Sequence, residues 1–236
     1  MVRHGQARFL TDDYDRLSTL GEEQAAALAN YWVRQGISPD EVYTGTLRRQ
    51  QRTAEVVGEV FASHGLAWPA HQVLAGLDEY PADEIVGRLA PVLATTDQEL
   101  AALMAAVEQS ADDKNRYRNI HRLLEVIIAR WVAADYDAGV APGLMSWREF
   151  SDGVRAALQK IMASSGSGRT VAIFTSGGPV GVSMQTIMEA PEIKAAELNW
   201  RVHNCAVTHF TYSGPRISLD RFNDIAHLAD GQLTYR

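Results

Sequence analysis

The sequence is poor in cysteine and has no long apolar run, and both shortages exclude classes of protein. Its one cysteine, Cys205, cannot form a disulfide within the chain, so a reducing, cytoplasmic environment is expected. Cys205 itself is expected to act as a small buried apolar residue. No stretch of about 18 or more apolar residues is present, so the sequence predicts no membrane span.

Positive charge is also in short supply. The 22 Lys and Arg residues are outnumbered by 29 Asp and Glu residues, which gives a formal net charge of −7. A broad nucleic-acid-binding surface needs an excess of basic residues, so we expect no nucleic-acid partner. A phosphorylated ligand would instead require a few locally placed arginines.

Metal ligands at recognisable spacings are missing as well. His64 and His71, or His203 and Cys205, lack the spacing and the partners that a zinc site uses. We therefore predict no metal and no other cofactor.

Apolar residues are plentiful, at 46% of 236 residues, which is enough for one large domain. Helical and strand-like patterns alternate over most of the length. This alternation predicts an α/β fold, a three-layer α/β/α sandwich around a mostly parallel sheet. Between about residues 83 and 141 the pattern is wholly helical, so we expect a helical insertion within a single domain that spans residues 1–236.

Strands are predicted at residues 40–44 and 170–175, an extended segment at 73–79, and closing antiparallel strands at 204–212 and 216–219. Three pairs of residues form capping-box patterns that predict helix starts: Thr19 with Glu22, Thr96 with Glu99, and Ser146 with Glu149.

The first residues of the chain carry the most informative chemistry. Arg3 can hold a phosphate in a bidentate fork, and Gly5 lets the backbone approach a ligand closely. His4 lies between them at the end of a predicted strand, where its imidazole could attack phosphorus. Because a strand typically has about five or six residues and only Met1 and Val2 precede Arg3, we expect that further residues precede Met1 in the native chain.

Arginines also gather at the start of the second predicted helix. Arg48, Arg49 and Arg52 lie in its first turns, where free N–H groups and the helix dipole favour an anion. Arg48 and Arg52 are expected on the solvated face of this helix.

A buried strand later in the chain runs into Ser176 and Gly177 and then into a helix. This arrangement puts backbone N–H groups at the carboxyl edge of the sheet, where open α/β sheets bind their ligands.

Taken in order, these segments resemble the histidine phosphatase superfamily, the phosphoglycerate mutase-like fold. The resemblance covers most of the chain and rests on an ordered set of motifs: Val2-Arg3-His4-Gly5-Gln6, the run 17–25, the run 43–54, Leu77-Asp78-Glu79, the strand into Gly177-Gly178, and Phe222-Asn223 with His227-Leu228. Each motif alone is weak, whereas the ordered set is specific.

The resemblance implies a role for each matching residue. His4 is the nucleophile that takes the phosphoryl group, and Arg3 and Arg49 hold its oxygens. Glu79 is the acid that protonates the leaving oxygen and then the base that activates water on the phosphohistidine. Four further positions are expected to bind the substrate: Gly5, Gln6, Ser176 and Gly177. The implied activity is hydrolysis of a phosphomonoester, and the implied ligand is a small phosphorylated molecule or inorganic phosphate.

The chain departs from the family pattern at two places. The family carries a second histidine, as Ser-His-Gly-Gly, where this chain has Thr175-Ser176-Gly177-Gly178. A serine hydroxyl donates one hydrogen bond but is never cationic, and loss of a well-placed donor typically costs about 10² to 10³ in turnover. A weak or inactive phosphate-ester-binding protein is therefore an alternative. Ala7 and Leu10 stand where mutases carry a serine and an asparagine, so a phosphoglycerate mutase-type phosphotransferase is less favoured.

A serine hydrolase is the alternative from a different class. Ser176 lies between a strand and a helix, and Asp220 or Asp224 and then His227 follow it in the order Ser, Asp, His. The nucleophile elbow, however, needs glycine two residues before the serine, and Phe174 is there. The substrate and the oligomeric state are not determined by the sequence.

Overall fold

The computed structural model describes residues 1–8, 15–134, 136, 139, 141–164 and 166–235. The chain divides into two compact units. One unit consists of Met1–Glu79 and Asp152–Arg236, and the other of Tyr80–Ser151.

A six-stranded sheet with the order β3-β2-β4-β1-β5-β6 forms the centre of the first unit. Its strands are β1 (Val2–Arg3), β2 (Glu41–Thr44), β3 (His71–Val73), β4 (Val171–Thr175), β5 (Val207–Ser213) and β6 (Arg216–Asp224). The β3-β2, β2-β4 and β4-β1 pairs are parallel, and β5 runs antiparallel to both β1 and β6. The predicted α/β fold, with a mostly parallel sheet and an antiparallel addition, is confirmed.

The helices are α1 (Thr19–Gln35), α2 (Arg48–Ser63), α3 (Ala82–Leu93), α4 (Gln98–Glu108), α5 (Asp113–Ala133), α6 (Trp147–Ser164), α7 (Gly177–Ile187) and α8 (Ile193–Asn199). The unit Tyr80–Ser151 contains α3, α4, α5 and the first residues of α6. Among the described residues, no helix is both long and apolar enough to cross a bilayer.

Side chains that alternate along the central strands build a core on each face of the sheet. Val42 and Phe174 pack with apolar residues of α1 and α2. Their neighbours Tyr43 and Ile173 belong to the other core, with residues of α6 and α7. Since successive strand residues face opposite sides, the apolar runs predicted as buried strands account for the three layers of this unit.

One of the three predicted capping boxes is confirmed, by the reciprocal hydrogen bonds that begin α6 at Ser146. The other two were wrong by one residue: the N-cap of α1 is Ser18 rather than Thr19, and that of α4 is Asp97 rather than Thr96. In both cases a second good capping residue stands next to the predicted one, and the spacing does not choose between them.

The prediction of an extended segment at residues 73–79 was also wrong. The strand β3 ends at Val73, and Ala75–Leu77 forms a 3₁₀ turn. The turn brings Gly76 so close to the backbone of α6 that a Cβ there would lie 2.4 Å from the Gly153 oxygen. Sequence periodicity does not indicate this packing. The packing directs Asp78 and Glu79 to the carboxyl edge of the sheet.

Candidate active site

Two parallel strands end side by side at the candidate site. In the register of β1 and β4, Arg3 lies opposite Thr175, so His4 and Ser176 are the next residues of each strand. The His4 N–H donates to the Thr175 carbonyl at 2.8 Å, which extends the ladder by one step. Both residues therefore lie at the carboxyl edge of the sheet, as predicted.

The His4 imidazole is held in one orientation. It is only 4% exposed, its Nδ1 lies 2.7 Å from the Gly5 carbonyl oxygen, and its Nε2 lies 3.2 Å from Arg49 Nε. Because a carbonyl accepts and a guanidinium donates, Nδ1 carries the hydrogen and Nε2 carries the lone pair. Burial first, and then the charges of Arg49 and Arg3, hold the pKa of His4 well below its usual range. The ring is thus neutral and presents Nε2 as a nucleophile.

The loop after His4 is anchored by close backbone packing. The Gly5 N–H donates to Thr53 Oγ1 at 3.0 Å, and a Cβ on Gly5 would lie 2.3 Å from the Gly21 carbonyl oxygen. Gln6 braces the same junction, because its backbone N–H donates to Gln24 and its side-chain oxygen accepts from Ser18. Gly5 is thus required for the approach of the loop to α1, and the hydrogen bonds of Gln6 tie it to α1.

Cys205 contacts the backbone of the segment that carries His4. Its N–H donates to the Arg3 carbonyl at 3.0 Å, and Asn204 Nδ2 donates to the His4 carbonyl at 3.1 Å. Cys205 is fully buried with a φ of 57°, and burial raises the pKa of its thiol. The expectation that it is a buried residue is confirmed.

Arg49 joins His4 to an acidic residue that the sequence analysis did not single out. Its Nη1 lies 2.7 Å from Asp15 Oδ1, and the same carboxylate accepts from the Arg48 N–H at 2.8 Å. Asp15 therefore sits at the N-terminus of α2, where the helix dipole favours an anion. No spacing in the sequence indicated this contact, because Asp15 comes from the segment before α1.

Arg48 and Arg52 lie on the outer face of α2, as predicted. Arg48 pairs with Glu55, and Arg52 pairs with Glu22 and Glu59. Arg3, in contrast, is buried beside His4 and donates to the Val202 carbonyl.

Glu79 lies at the start of α7. Its Oε2 accepts from the Gly178 N–H at 3.0 Å, two residues after Ser176. The neighbouring Asp78 accepts from the N–H and the hydroxyl of Thr46 at 2.5 and 2.6 Å, which ties the turn before α2 to this segment.

Ser176 is fully buried, and its hydroxyl oxygen accepts from Gln50 Nε2 at 2.8 Å. Although Ser176 is the N-cap of α7, its side chain makes no capping hydrogen bond. Gly177 packs against Asn199, and a Cβ on Gly177 would lie 2.0 Å from Asn199 Oδ1. Gln50 was missed by the sequence analysis, although a polar residue in register with Leu47, Ala54 and Val57 on the apolar face of a helix was a usable signal.

Comparison with known proteins assigns the family. The sequence profile of the histidine phosphatase superfamily (branch 1) matches residues 1–116 and 113–225. The chain belongs to this superfamily. No relative was found among curated protein sequences.

Solved structures of two phosphatases and of a phosphoglycerate mutase share the fold. A phosphoserine phosphatase from Entamoeba histolytica, in complex with 3-phosphoglyceric acid, is 17% identical over 97% of each chain, with a TM-score of 0.60. A mycobacterial glucosyl-3-phosphoglycerate phosphatase with inorganic phosphate is 21% identical over 97% of this chain and 98% of that one, with a TM-score of 0.61. A phosphoglycerate mutase from Bacillus anthracis is 17% identical over 96% and 92%, also with a TM-score of 0.61.

The two positions of the histidine phosphatase pattern that bear on a mutase activity are Ala7 and Leu10. Ala7 is buried and forms an isolated antiparallel bridge with Leu17. Leu10 lies outside the described residues.

The serine hydrolase alternative has no support in the geometry of this member of the histidine phosphatase superfamily. Ser176 is bonded to Gln50, whereas His227 packs near Tyr31 with ring centroids 6.1 Å apart. Asp220 accepts from Thr211 on β5. Within the described ranges, no hydrogen bond joins Ser176 to a histidine. In the same ranges, no group of three or more His, Cys, Asp or Glu side chains is arranged to hold a metal ion.

Proposed function

We propose that this chain is a phosphomonoester hydrolase that works through a phosphohistidine on His4. The observation that carries the proposal is the state of His4: its buried, neutral ring directs Nδ1–H to the Gly5 carbonyl and the Nε2 lone pair to Arg49. A neutral imidazole next to a guanidinium that can bind phosphoryl oxygens is suited to attack phosphorus.

In the first half-reaction the phosphoryl group moves to His4. Arg49 turns its Nε–H from His4 to the phosphoryl oxygens, and Arg3 binds them as well. The Nε2 lone pair forms the N–P bond, the P–O bond to the alcohol breaks, and the leaving oxygen takes a proton from Glu79. The hydrogen bond from Nδ1–H to Gly5 stabilises the positive charge that develops on the ring.

In the second half-reaction water takes the phosphoryl group. Glu79, now a carboxylate, accepts a proton from a water molecule whose oxygen attacks phosphorus, and the N–P bond breaks. Inorganic phosphate leaves, and His4 and Glu79 return to their starting protonation states. Both half-reactions use residues of the unit Met1–Glu79 and Asp152–Arg236.

The proposed substrate is a small phosphorylated molecule. Proteins of the same fold include a phosphoserine phosphatase in complex with 3-phosphoglyceric acid and a glucosyl-3-phosphoglycerate phosphatase with inorganic phosphate, which supports this class of ligand. We further propose one histidine phosphatase-like domain over residues 1–236, with a helical insertion at about 83–141. The single cysteine supports a cytoplasmic location, and the net charge of −7 argues against a nucleic-acid partner.

A phosphate-ester-binding protein with little turnover is the second candidate. It is favoured by the hydroxyl of Ser176, which stands in place of an imidazole and is never cationic. A mutase-type transfer is less favoured, because Ala7 offers no polar side chain to a phosphoglycerate.

Hydrolysis of p-nitrophenyl phosphate by the wild type, His4→Ala and His64→Ala separates the two candidates. His64 is exposed and remote in sequence from the proposed chemistry, so His64→Ala should match the wild type. We expect His4→Ala to lose hydrolysis and to lose the acid-labile phosphate label that the wild type retains when quenched in base. Equal rates for the wild type and His4→Ala, with phosphate binding retained, would instead establish a binding protein.

A further inference from the structure

Gln50 and Ser176 form a buried pair at the place where this chain departs from its family. We propose that Gln50 is a positioning residue that directs the Ser176 hydroxyl hydrogen toward the transferring phosphoryl group. The proposal rests on the proposed function and assigns Ser176 as the donor and Gln50 as the residue that orients it.

The orientation of the Gln50 amide follows from its surroundings. Its Nε2 lies 3.0 Å from the Leu77 carbonyl oxygen and 2.8 Å from Ser176 Oγ. The reversed amide would place Oε1 against the Leu77 carbonyl, so that two acceptors would face each other without a hydrogen. Nε2 therefore donates to both oxygens, and Ser176 Oγ acts as an acceptor in this contact.

An acceptor role toward Gln50 leaves the Ser176 hydrogen available. The hydroxyl has one hydrogen to donate, and in the part of the chain that the structure describes no group accepts it. A hydrogen bond received at the oxygen also polarises the hydroxyl and strengthens its donation. Because Ser176 follows β4 as His4 follows β1, the two residues lie side by side at the edge of the sheet where His4 would carry the phosphoryl group.

The Gln50 side-chain amide is closely packed by its neighbours. Gln50 is fully buried, and a Cβ on Gly45 would lie 2.0 Å from its Oε1. Within the described residues this Oε1 has no hydrogen-bond partner, although it is buried. A glutamine at a fully buried position, with its Oε1 lacking a hydrogen-bond partner among the described residues, is not explained by packing alone. Its contact with Ser176 supplies an explanation.

A double-mutant cycle on turnover tests the proposal. The variants are Ser176→Ala, Gln50→Met and the combination, since methionine has nearly the length of glutamine but donates no hydrogen bond. We expect Ser176→Ala to lower kcat by about 10² and Gln50→Met by roughly tenfold. The double variant should match Ser176→Ala, because Gln50 acts only through the hydroxyl. If the double variant instead lowers kcat by the product of the two single effects, the proposal is overturned.

A second variant keeps the test decisive if Gln50→Met is poorly folded. In Gln50→Glu a carboxylate only accepts, so the Ser176 hydrogen should turn to it and leave the phosphoryl group. We expect kcat to fall as far as in Ser176→Ala. The unfolding midpoint should fall as well, because a buried carboxylate would face the Leu77 carbonyl without a hydrogen bond. Wild-type turnover in a folded Gln50→Glu would refute the proposal. Gln51→Met is the matched control, since among the described residues the Gln51 amide donates only to the Gly45 and Thr46 carbonyls.

The same variants distinguish a failure of this proposal from a failure of the proposed function. If the wild type shows no turnover that depends on His4, the proposed function fails. The cycle is then measured as the affinity for inorganic phosphate by calorimetry. The double variant should weaken phosphate binding no more than Ser176→Ala does, whereas independent effects of the two substitutions would reject the role of Gln50.

Discussion

Two histidines of the unit that contains the sheet are kept neutral by burial. One is His4 of the candidate site. The other is His227, near the C-terminus, whose ring lies near Tyr31 of α1. Burial lowers the pKa of His227 to about 4, against smaller opposing effects of the Cys205 backbone and Asp224. Its Nε2 is buried and has no partner among the described residues, so a charged ring would be poorly solvated there.

This residue makes the stability of the protein depend on pH. Between pH 6.5 and about 4 the unfolded chain binds a proton at His227 that the folded chain does not, so stability is full above pH 6.5 and falls as the pH decreases through this window. We expect a loss of up to roughly 3 kcal/mol from His227. In His227→Leu the curve of unfolding free energy against pH should flatten, and His4 accounts for part of the slope that remains.

Urea denaturation at several pH values between 4.5 and 7.5 measures this effect. His64→Gln, at an exposed histidine, is the control and should keep the wild-type slope. If His227→Leu also keeps the wild-type slope of unfolding free energy against pH, burial does not hold His227 neutral.

At the scale of the elements, the start of α1 is fitted to the loop that follows His4. A Cβ on Gly21 would lie 2.1 Å from the Gln6 carbonyl oxygen. Gly21→Ala should therefore destabilise the protein by about 1–3 kcal/mol through overpacking, although alanine favours a helix. Displacement of the loop should also weaken phosphate binding, because Gly5 lies in the same contact.

Gly153→Ala is the matched control for this substitution. Gly153 lies inside α6, and a Cβ there would have no atom within 4 Å. Alanine should stabilise it by about 0.5–1 kcal/mol through helix propensity alone. The two free energies of unfolding, measured in urea, should thus change in opposite directions. Equal gains would show that the loop and α1 do not approach closely.

These elements also show which structural features could be derived from sequence. The carboxyl end of β4 was predictable, because a buried strand is a continuous apolar run and glycines follow this one. That of β1, a strand of two residues, was expected only from the motif Arg3-His4-Gly5. The short helix α8 was not, since seven residues carry too little periodicity to distinguish it from a loop. The contacts of Asp15 with Arg49 and of Gln50 with Ser176 were not predictable, because packing and not sequence spacing brings these residues together.

At the scale of the whole molecule, the shortest strand in the sheet of the first unit is β1. β1 pairs with β4 only at Val2 and Arg3, and with β5 only at Val2. A cavity of about 740 Å³ lies beside Met1 and Val2 and is lined by Val171 and Ala172 of β4, by residues of β5 and α1, and by the loop before β4. Val2 pairs with both Phe174 of β4 and Val207 of β5, so at Val2 these two strands are separated by the width of one strand.

A strand-forming peptide fused ahead of Met1 should fill this cavity. The Met1 amino group already donates to the Thr208 carbonyl at 2.7 Å, so an added residue would continue in register, parallel to β4 and antiparallel to β5. Both faces of the sheet are covered, so the fused segment should be apolar throughout, for example Val-Ile-Val-Tyr-Leu. Even a net gain of about 2 kcal/mol would raise Tm by roughly 4–8 °C in a chain of this size.

A fused Gly-Ser-Gly-Ser-Gly segment of equal length is the control, because it has little strand propensity and no apolar side chains to bury. We expect calorimetry to show a higher Tm only for the apolar fusion. Hydrogen exchange should show new protection of amides in His209–Ser213 of β5, whose edge facing β4 would gain a partner. Equal Tm values and unchanged exchange in the two fusions would mean that β4 and β5 are not spaced to accept a strand.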